Sequence, residues 1–183
     1  CGCGDSYYAG EAVKEAFWQY AGIDTVPAEA FEFVTYDYRK LKKEDGRVFL
    51  FMSDGELEEG QTWEGLQAAA FYKLDNLVIY VDVNGQQYDG WTKDVMNIEP
   101  ISGRIKGFGA ECITVNGHDP EALYQASTIH PDGKPLVVLC YTNTTQGIPE
   151  LDYRKPHLHF VRLKPFEIDQ FKNILDQMKK GER

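Results

Sequence analysis

The chain has 183 residues and a net charge of −10 at pH 7, and hydrophobic residues make up 43% of it. That length predicts one well-buried domain over residues 1–183 rather than two domains. The acidic balance argues against nucleic acid and anionic membranes as partners, because both require a basic face on the protein. The sequence has no secretory signal pattern, no apolar run of membrane-spanning length and no disulfide framework, so we expect a cytoplasmic protein.

Two amphipathic helices are predicted before the first strand. Apolar residues recur at three- and four-residue spacing over residues 7–20, which is typical of a helix with one buried face. A second helix begins near Pro27 and runs into the basic segment 39–43, where positive charge favours a helix C-terminus. An Asp-Gly turn at residues 45–46 then leads into the first predicted strand.

Alternating β-rich and helical patterns fill the rest of the chain. We predict strands over 47–52, 77–81, 112–115 and 135–141, and helices over 61–74, 104–108, 120–130 and from residue 165 onward. Segments 85–92 and 142–162 are predicted loops, the first of them facing a ligand. The last helix has a predicted buried stripe of Phe166, Phe171, Ile174, Leu175 and Met178. This alternation predicts an α/β fold with a mostly parallel sheet flanked by helices.

Polar residues follow the first two predicted strands at the points where those strands end. Asp54 comes directly after the first strand, and Asn84 follows the second. Because ligands of open parallel sheets bind outside the carboxyl ends of the strands, we expect these side chains to face one site. Together with a nearby main-chain carbonyl they form an all-oxygen set, which suits Mg²⁺ bound jointly with a phosphate-containing ligand. The sequence therefore predicts a magnesium site at this edge.

The sequence around these two residues resembles that of one protein family. Residues 47–119 closely resemble the diphosphate-binding domain of transketolases and their relatives, in colinear order and with similar spacing. The matching stretches are Ser53-Asp-Gly-Glu-Leu-Glu-Glu-Gly-Gln-Thr-Trp-Glu64, Tyr72-Lys-Leu-Asp-Asn-Leu77, Val81-Asp-Val-Asn-Gly85, Asp89-Gly-Trp-Thr92, Arg104-Ile-Lys-Gly-Phe-Gly109 and Val115-Asn-Gly-His-Asp119. The resemblance implies the thiamine diphosphate-binding fold, with thiamine diphosphate and Mg²⁺ as cofactors.

The resemblance also assigns expected roles to individual residues. The side chains of Asp54 and Asn84 and the main-chain carbonyl of Gln86 fall on the magnesium ligands of the family. The backbone around Gly55 and Glu56 falls where the family approaches the cofactor diphosphate. A side chain at Gly55 would crowd the phosphate, which gives this glycine a physical reason of its own.

Histidines are the second group of site residues that the resemblance implies. The family often places an active-site histidine in the late loop, which here contains His157 and His159. Spacing does not decide between them, and we take His159 as the catalytic candidate. His118 belongs to the Asn-Gly-His-Asp turn, which we expect to end a strand and cap a helix. His130 is expected at the surface.

The chain departs from the family pattern in two ways. Ser53 replaces a glycine and Val83 replaces a polar residue, yet both proposed side-chain ligands of the metal remain. The section before Ser53 is short and contains no histidine, whereas family members carry several histidines there. A pyrimidine-binding domain, which the family also requires, cannot fit in this length.

The resemblance therefore implies the diphosphate-binding subunit of a split transketolase. Such an enzyme would transfer a two-carbon ketol unit between sugars or sugar phosphates. Another chain would supply the pyrimidine-binding domain, giving a hetero-oligomer (a dimer of heterodimers), and Glu59 and Glu64 would be candidates for the subunit contact or simply exposed charges. Two alternatives stay open: a catalytically inactive cofactor-binding or structural subunit, and, ranked lower, another thiamine enzyme such as a decarboxylase or a deoxyxylulose-type synthase.

Overall fold

The computed structural model describes residues 46–159 and 161–181, and Gln19 by itself before them. Apart from Gln19, the two helices predicted before the first strand lie outside these residues. The described elements, in chain order, are β1 (Val48–Ser53), α1 (Gly60–Phe71), β2 (Leu77–Val83), β3 (Gln86–Gln87), β4 (Gly90–Trp91), α2 (Thr92–Val95), α3 (Ile101–Gly107), β5 (Glu111–Asn116), α4 (Pro120–Ser127), β6 (Leu136–Tyr141) and α5 (Pro165–Lys180). Two 3₁₀ turns, Gly55–Glu58 and Pro149–Arg154, complete them.

Four strands form one parallel sheet in the order β1-β2-β6-β5, which confirms the predicted α/β fold. The register aligns Ser53 with Asp82, Asp82 with Cys140, and Asn116 with Tyr141. All four strands therefore end at the same edge, and the loops that follow them meet there. The division into a single domain stays a prediction.

The two central strands are buried on both faces, as their continuous apolar sequences require. On one face, Ile79, Val81 and Leu139 pack in a core with residues of α1 and α3, including the fully buried Ile105. On the other face, Val78, Tyr80, Val138 and Cys140 share a second core with Ala126 of α4. No helix within the described residues is long and apolar enough to cross a membrane.

Helix α4 begins at the predicted Asp-Pro pair. One carboxylate oxygen of Asp119 accepts from the main-chain nitrogens of Glu121 and Ala122, at 3.0 and 3.2 Å, and Pro120 occupies the first helical position. The helix ends at Ser127, a few residues earlier than predicted. There the hydroxyls of Ser127 and Thr128 donate to carbonyls three residues upstream, at 2.6 and 2.8 Å, and so compete with helix continuation.

Replacing Asp119 with alanine is expected to lower the free energy of unfolding by about 1 kcal/mol, because two main-chain N–H groups lose their acceptor. Urea unfolding followed by circular dichroism measures the change. Asp119→Asn keeps an acceptor at the cap and should lose less than half as much. Equal losses in the two variants would contradict the capping role.

The segment after β2 differs from the predicted loop. Strands β3 and β4 pair as a two-residue antiparallel hairpin, with Gln86 opposite Trp91 and Gln87 opposite Gly90. Gly90 has a φ of +155°, and Gly85, just before the hairpin, has a φ of +74°, a conformation that side chains other than glycine rarely adopt. The glycines of residues 85–92, from which a loop was predicted, thus allow a short β-hairpin.

The predicted buried stripe of α5 is largely wrong. Phe166, Leu175 and Met178 are 67%, 50% and 42% exposed, while Ile174 and the acidic Glu167 are buried. The reason is that Glu167 bonds to the preceding 3₁₀ turn and so fixes which side of the helix faces inward. An apolar pattern cannot indicate a helix orientation that a polar side chain decides.

Candidate functional site

Asp54 is a buried carboxylate at the end of β1. Its main-chain nitrogen donates to the carbonyl of Asp82 at 3.0 Å, and its Oδ2 accepts from the main-chain nitrogen of Gly85 at 2.7 Å. Its Oδ1 has no hydrogen-bond partner among the described residues, and the residue is 1% exposed. Burial raises the pKa of this carboxyl to about 6, against the lowering effect of the Gly85 hydrogen bond. A cation at Oδ1 would complete its coordination and favour its charged form.

Asn84 is held in one orientation at the end of β2. Its Oδ1 accepts from the main-chain nitrogen of Gln86 at 2.8 Å, and its Nδ2 donates to Oδ2 of Asp82 at 2.8 Å. Because Asp82 occupies the donor side of the amide, the oxygen is directed to the turn that carries Gly85 and Gln86. The second lone pair of that oxygen is the one a metal ion would use.

Gln86 extends the same set of oxygens. Its side-chain Nε2 donates to Oγ1 of Thr144 at 2.8 Å, while its Oε1 is buried without a hydrogen-bond partner among the described residues. Two buried acceptor oxygens thus remain open at this edge, one on Asp54 and one on Gln86. Buried polar atoms are nearly always satisfied, and a cation or a hydrogen-bond donor at this edge would satisfy both oxygens.

Gly55 and Glu56 belong to the 3₁₀ turn that follows Asp54. A Cβ at Gly55 would lie 3.3 Å from Cβ of Gln87, so the turn packs tightly against the β3–β4 hairpin. The carboxylate of Glu56 accepts from the main-chain nitrogen and hydroxyl of Ser53, at 2.7 and 3.2 Å. The side chain of Glu56 therefore closes the turn, and a cofactor contact here would come from the backbone. Ser53, which departs from the family pattern, takes part in this closure.

The residues at this edge fit a hard divalent cation. Within the described residues no cluster of three His, Cys, Asp or Glu side chains could hold a metal ion. A cation would instead bind one carboxylate, one amide oxygen and one main-chain carbonyl, with phosphate oxygens completing its shell. Mg²⁺ is usually bound in this way, by few protein ligands together with a substrate phosphate.

A segment that the sequence did not single out joins these loops. Thr142, directly after β6, donates its hydroxyl to Oδ1 of Asp82, and Asp82 in turn holds the amide of Asn84. Thr144 accepts from the side chain of Gln86. Both threonines thus brace the turn that carries the proposed metal ligands. One feature of the sequence could have indicated this role: both threonines follow a predicted parallel strand, and the loops after neighbouring parallel strands lie at the same edge of the sheet.

The same segment also connects other loops at the sheet edge. The main-chain nitrogen of Asn143 donates to Nε2 of His118 at 2.7 Å, so His118 bridges the ends of β5 and β6, while Asp119 of the same turn caps α4 as predicted. Thr145, which is 3% exposed, donates its hydroxyl to the carboxylate of Asp152 in the second 3₁₀ turn. Residues 142–145 therefore contact the loops after β2 and β5 as well as that turn.

Of the late-loop histidines, His159 is the one whose ring contacts the hairpin. Its ring meets the ring of Tyr88 edge-on, with centroids 5.4 Å apart, and Tyr88 follows Gln86 by two residues. The main-chain nitrogen of His157 donates to the carbonyl of Arg154 at 2.7 Å, and its side chain is exposed. His130 is exposed as predicted. The side chain of His159 is exposed as well, and its ring lies against the hairpin that carries Gln86.

This arrangement can be compared with known proteins. The family described as "Transketolase, thiamine diphosphate binding domain" matches residues 21–180. The chain belongs to the transketolase family. The expectation drawn from the Ser-Asp-Gly and Asp-Val-Asn-Gly stretches is thereby confirmed at the level of the family and its thiamine diphosphate-binding domain.

Individual members of the transketolase family indicate how much of such a protein this chain represents. It is 38% identical over 141 residues to a transketolase family protein of Sinorhizobium fredii, covering 74% of this chain and 50% of that protein. It is 37% identical over 116 residues to one of the subunits of the apulose-4-phosphate transketolase of Actinobacillus succinogenes, covering 63% and 42%. The chain therefore spans about half the length of these relatives.

A solved transketolase shares the fold. The crystal structure of transketolase from Campylobacter jejuni superposes with a TM-score of 0.54 at 29% identity, covering 67% of this chain and 20% of that one. The parallel sheet and its flanking helices are thus the architecture of a transketolase, of which this chain corresponds to a limited part.

Proposed function

We propose that this chain is the cofactor-binding subunit of a thiamine diphosphate- and Mg²⁺-dependent, transketolase-like enzyme that transfers a two-carbon ketol unit between sugars. The observation that carries the proposal is the buried carboxylate of Asp54, which has one open oxygen at the carboxyl edge of the sheet. A buried carboxylate with one oxygen lacking a partner is costly, and a bound cation reduces that cost. The family match makes the diphosphate of thiamine the natural companion of the cation.

In this proposal, Asp54, Asn84 and the main-chain carbonyl of Gln86 hold Mg²⁺, while the backbone at Gly55 and Glu56 approaches the diphosphate. When bound, thiamine diphosphate supplies the nucleophile that takes a two-carbon unit from a ketose and passes it to an aldose. The chain's own part is to bind and orient this cofactor. His159, on the late loop beside Tyr88, is the proposed catalytic residue that contacts the substrate.

The partner in this proposal is a separate chain with the pyrimidine-binding domain, assembled as a dimer of heterodimers. Two relatives are each named as one subunit of an apulose-4-phosphate transketolase, which supports a divided enzyme and a sugar or sugar-phosphate substrate. Glu59 and Glu64 are exposed and stay candidates for the subunit contact. We also propose a cytoplasmic location, because Cys112 and Cys140 are free buried thiols, which suits a reducing compartment.

Calorimetry tests the proposal directly. Thiamine diphosphate with Mg²⁺ is titrated into the chain alone and into its mixture with the product of the neighbouring gene, and ketol transfer is then assayed in the mixture. We expect cofactor binding and transfer in the mixture, and loss of both when EDTA removes Mg²⁺. A folded mixture that binds no cofactor would refute the proposed site.

The alternative to this proposal is a cofactor-binding subunit without substrate chemistry. A mixture that binds thiamine diphosphate with Mg²⁺ but transfers no ketol unit to any aldose tested would establish this candidate instead.

A further inference from the structure

Glu167 is a fully buried acid in the first turn of α5. It accepts the hydroxyl of Tyr153, the guanidinium of Arg154 at 2.5 Å and the main-chain nitrogen of Lys164 at 2.6 Å, and it is 1% exposed. The hydrogen bond from Tyr153 has the largest effect, followed by those from Arg154 and Lys164, and together they lower the pKa of Glu167 to about 2. We call Tyr153, Arg154, Lys164 and Glu167 the Glu167 clasp. Such a saturated carboxylate fixes the geometry of every group bonded to it.

The Glu167 clasp joins two points of the chain that are separated in sequence. Tyr153 and Arg154 end the 3₁₀ turn Pro149–Arg154, whereas Glu167 lies in α5. A second guanidinium nitrogen of Arg154 also reaches the carbonyl of Arg162 at 3.4 Å. The stretch that carries His157 and His159 follows Arg154 and precedes Lys164. Because both of these residues bond to Glu167, the clasp holds the two ends of the stretch together.

The same stretch is attached to the sheet edge at its beginning. The ammonium of Lys155 lies 2.7 Å from Oδ1 of Asp152 and 2.7 Å from Oδ1 of Asn143. Asn143 belongs to the segment 142–145 that braces the proposed metal ligands. The clasp joins the two ends of the stretch, and Lys155 attaches its beginning to the segment 142–145. Between these attachments, the ring of His159 lies against that of Tyr88 on the hairpin.

We propose that Glu167 is a positioning residue, which through Arg154 and Tyr153 keeps the His159 ring at the carboxyl edge of the sheet. This inference rests on the proposed function, in which His159 contacts the substrate. The alternative is that the clasp contributes stability alone. The two differ in what happens to His159 in molecules that stay folded.

The test replaces Glu167 with glutamine, which keeps the shape of the side chain and removes the ion pair with Arg154. The histidine ring signals of the chain, four in number, are followed by NMR, with that of His159 assigned through His159→Gln. We expect the His159 signal to lose the ring-current shift that the Tyr88 ring causes, because the His159 ring is then no longer held against it. In the reconstituted complex, kcat should fall about 10-fold through misplacement of the ring, with cofactor affinity unchanged.

The matched control is Asp94→Asn, which removes the exposed ion pair with Lys93 and should change neither the His159 signal nor kcat. If Glu167→Gln does not fold, Tyr153→Phe removes one hydrogen bond of the clasp and gives the same readouts. An unmoved His159 signal or an unchanged kcat in a folded variant overturns the proposal. A wild-type complex without ketol transfer refutes the proposed function, while the His159 signal still decides whether Glu167 positions that ring.

Discussion

Replacing Asp54 with asparagine is expected to stabilise the free chain at pH 7 and to abolish its binding of thiamine diphosphate with Mg²⁺. Asparagine keeps an acceptor for the main-chain nitrogen of Gly85 and removes a buried charge that has one open oxygen. If Asp54 served the fold alone, the same replacement would lower the free energy of unfolding instead. Asp54 is thus expected to destabilise the free chain and to be required for binding of thiamine diphosphate with Mg²⁺.

The pH dependence follows from the pKa of Asp54, which is about 6 in the folded chain against an ordinary 3.8. A raised pKa contributes stability below pH 4, and this contribution is lost as pH rises to 6. At pH 7 the variant should therefore be more stable than the unaltered chain by about 1–3 kcal/mol, and the difference should shrink toward pH 4. Affinity for the cofactor should fall by more than about 100-fold.

Urea unfolding in EDTA at pH 4 and pH 7 measures the stability difference, and calorimetry with Mg²⁺ measures the affinity. The control is Asp75→Asn, at an exposed aspartate after α1, which should leave both quantities unchanged. A variant of Asp54 that is less stable at pH 7, or that binds the cofactor normally, would contradict the proposed role.

Replacing Gly117 with alanine is expected to damage the site from the end of the edge strand β5. A Cβ there would lie 2.4 Å from Cγ2 of Thr142, and 3.2 Å from both Cβ of Cys140 and the carbonyl oxygen of Tyr141. Thr142 must move, and its hydroxyl then leaves Asp82, which holds the amide of Asn84. We expect a loss of about 3 kcal/mol in the free energy of unfolding, together with weaker Mg²⁺-dependent cofactor binding.

The double variant Gly117→Ala with Thr142→Ser tests the stated cause, because serine lacks the crowded methyl group and keeps the hydroxyl. It should recover part of the stability and most of the cofactor binding. Gly107→Ala is the control, since a Cβ at Gly107 meets nothing within 4 Å, and there alanine should be neutral or slightly stabilising. The absence of any recovery in the double variant would show that Thr142 is not the group displaced.

The sheet was predictable because its central strands are continuous apolar runs. Residues 77–83 and 136–141 are buried almost throughout, and a parallel strand covered on both faces requires this composition. The placement of Asp54 and Asn84 followed from the same logic, since both stand where such strands end. Local patterns therefore sufficed for the strands and for the position of Asp54 and Asn84 at their ends, while the role of these residues as metal ligands stays a proposal.

Local sequence patterns did not predict the orientation of α5 or the contacts that hold the turn with Asn84 and Gln86. Both depend on single polar contacts between segments separated in sequence: Glu167 with Tyr153 and Arg154, and Thr142 with Asp82. Periodicity reports which residues are apolar, whereas these contacts depend on which loops meet. A threonine after a strand can bond to many different groups, so its partner is identified only when the fold shows which loops are neighbours.

The strand order has a consequence for how such a site can be moved between proteins. Because β1 and β2 are neighbours in both sequence and sheet, the proposed ligands Asp54, Asn84 and Gln86 all lie within residues 48–86. A transplant of that one strand-helix-strand unit into another parallel sheet would carry every ligand. It would leave behind Thr142 and Thr144, so the transplanted turn would have the right atoms without the rigidity that orients them. A designer would have to supply two hydroxyls from the loop that follows the adjoining strand of the host.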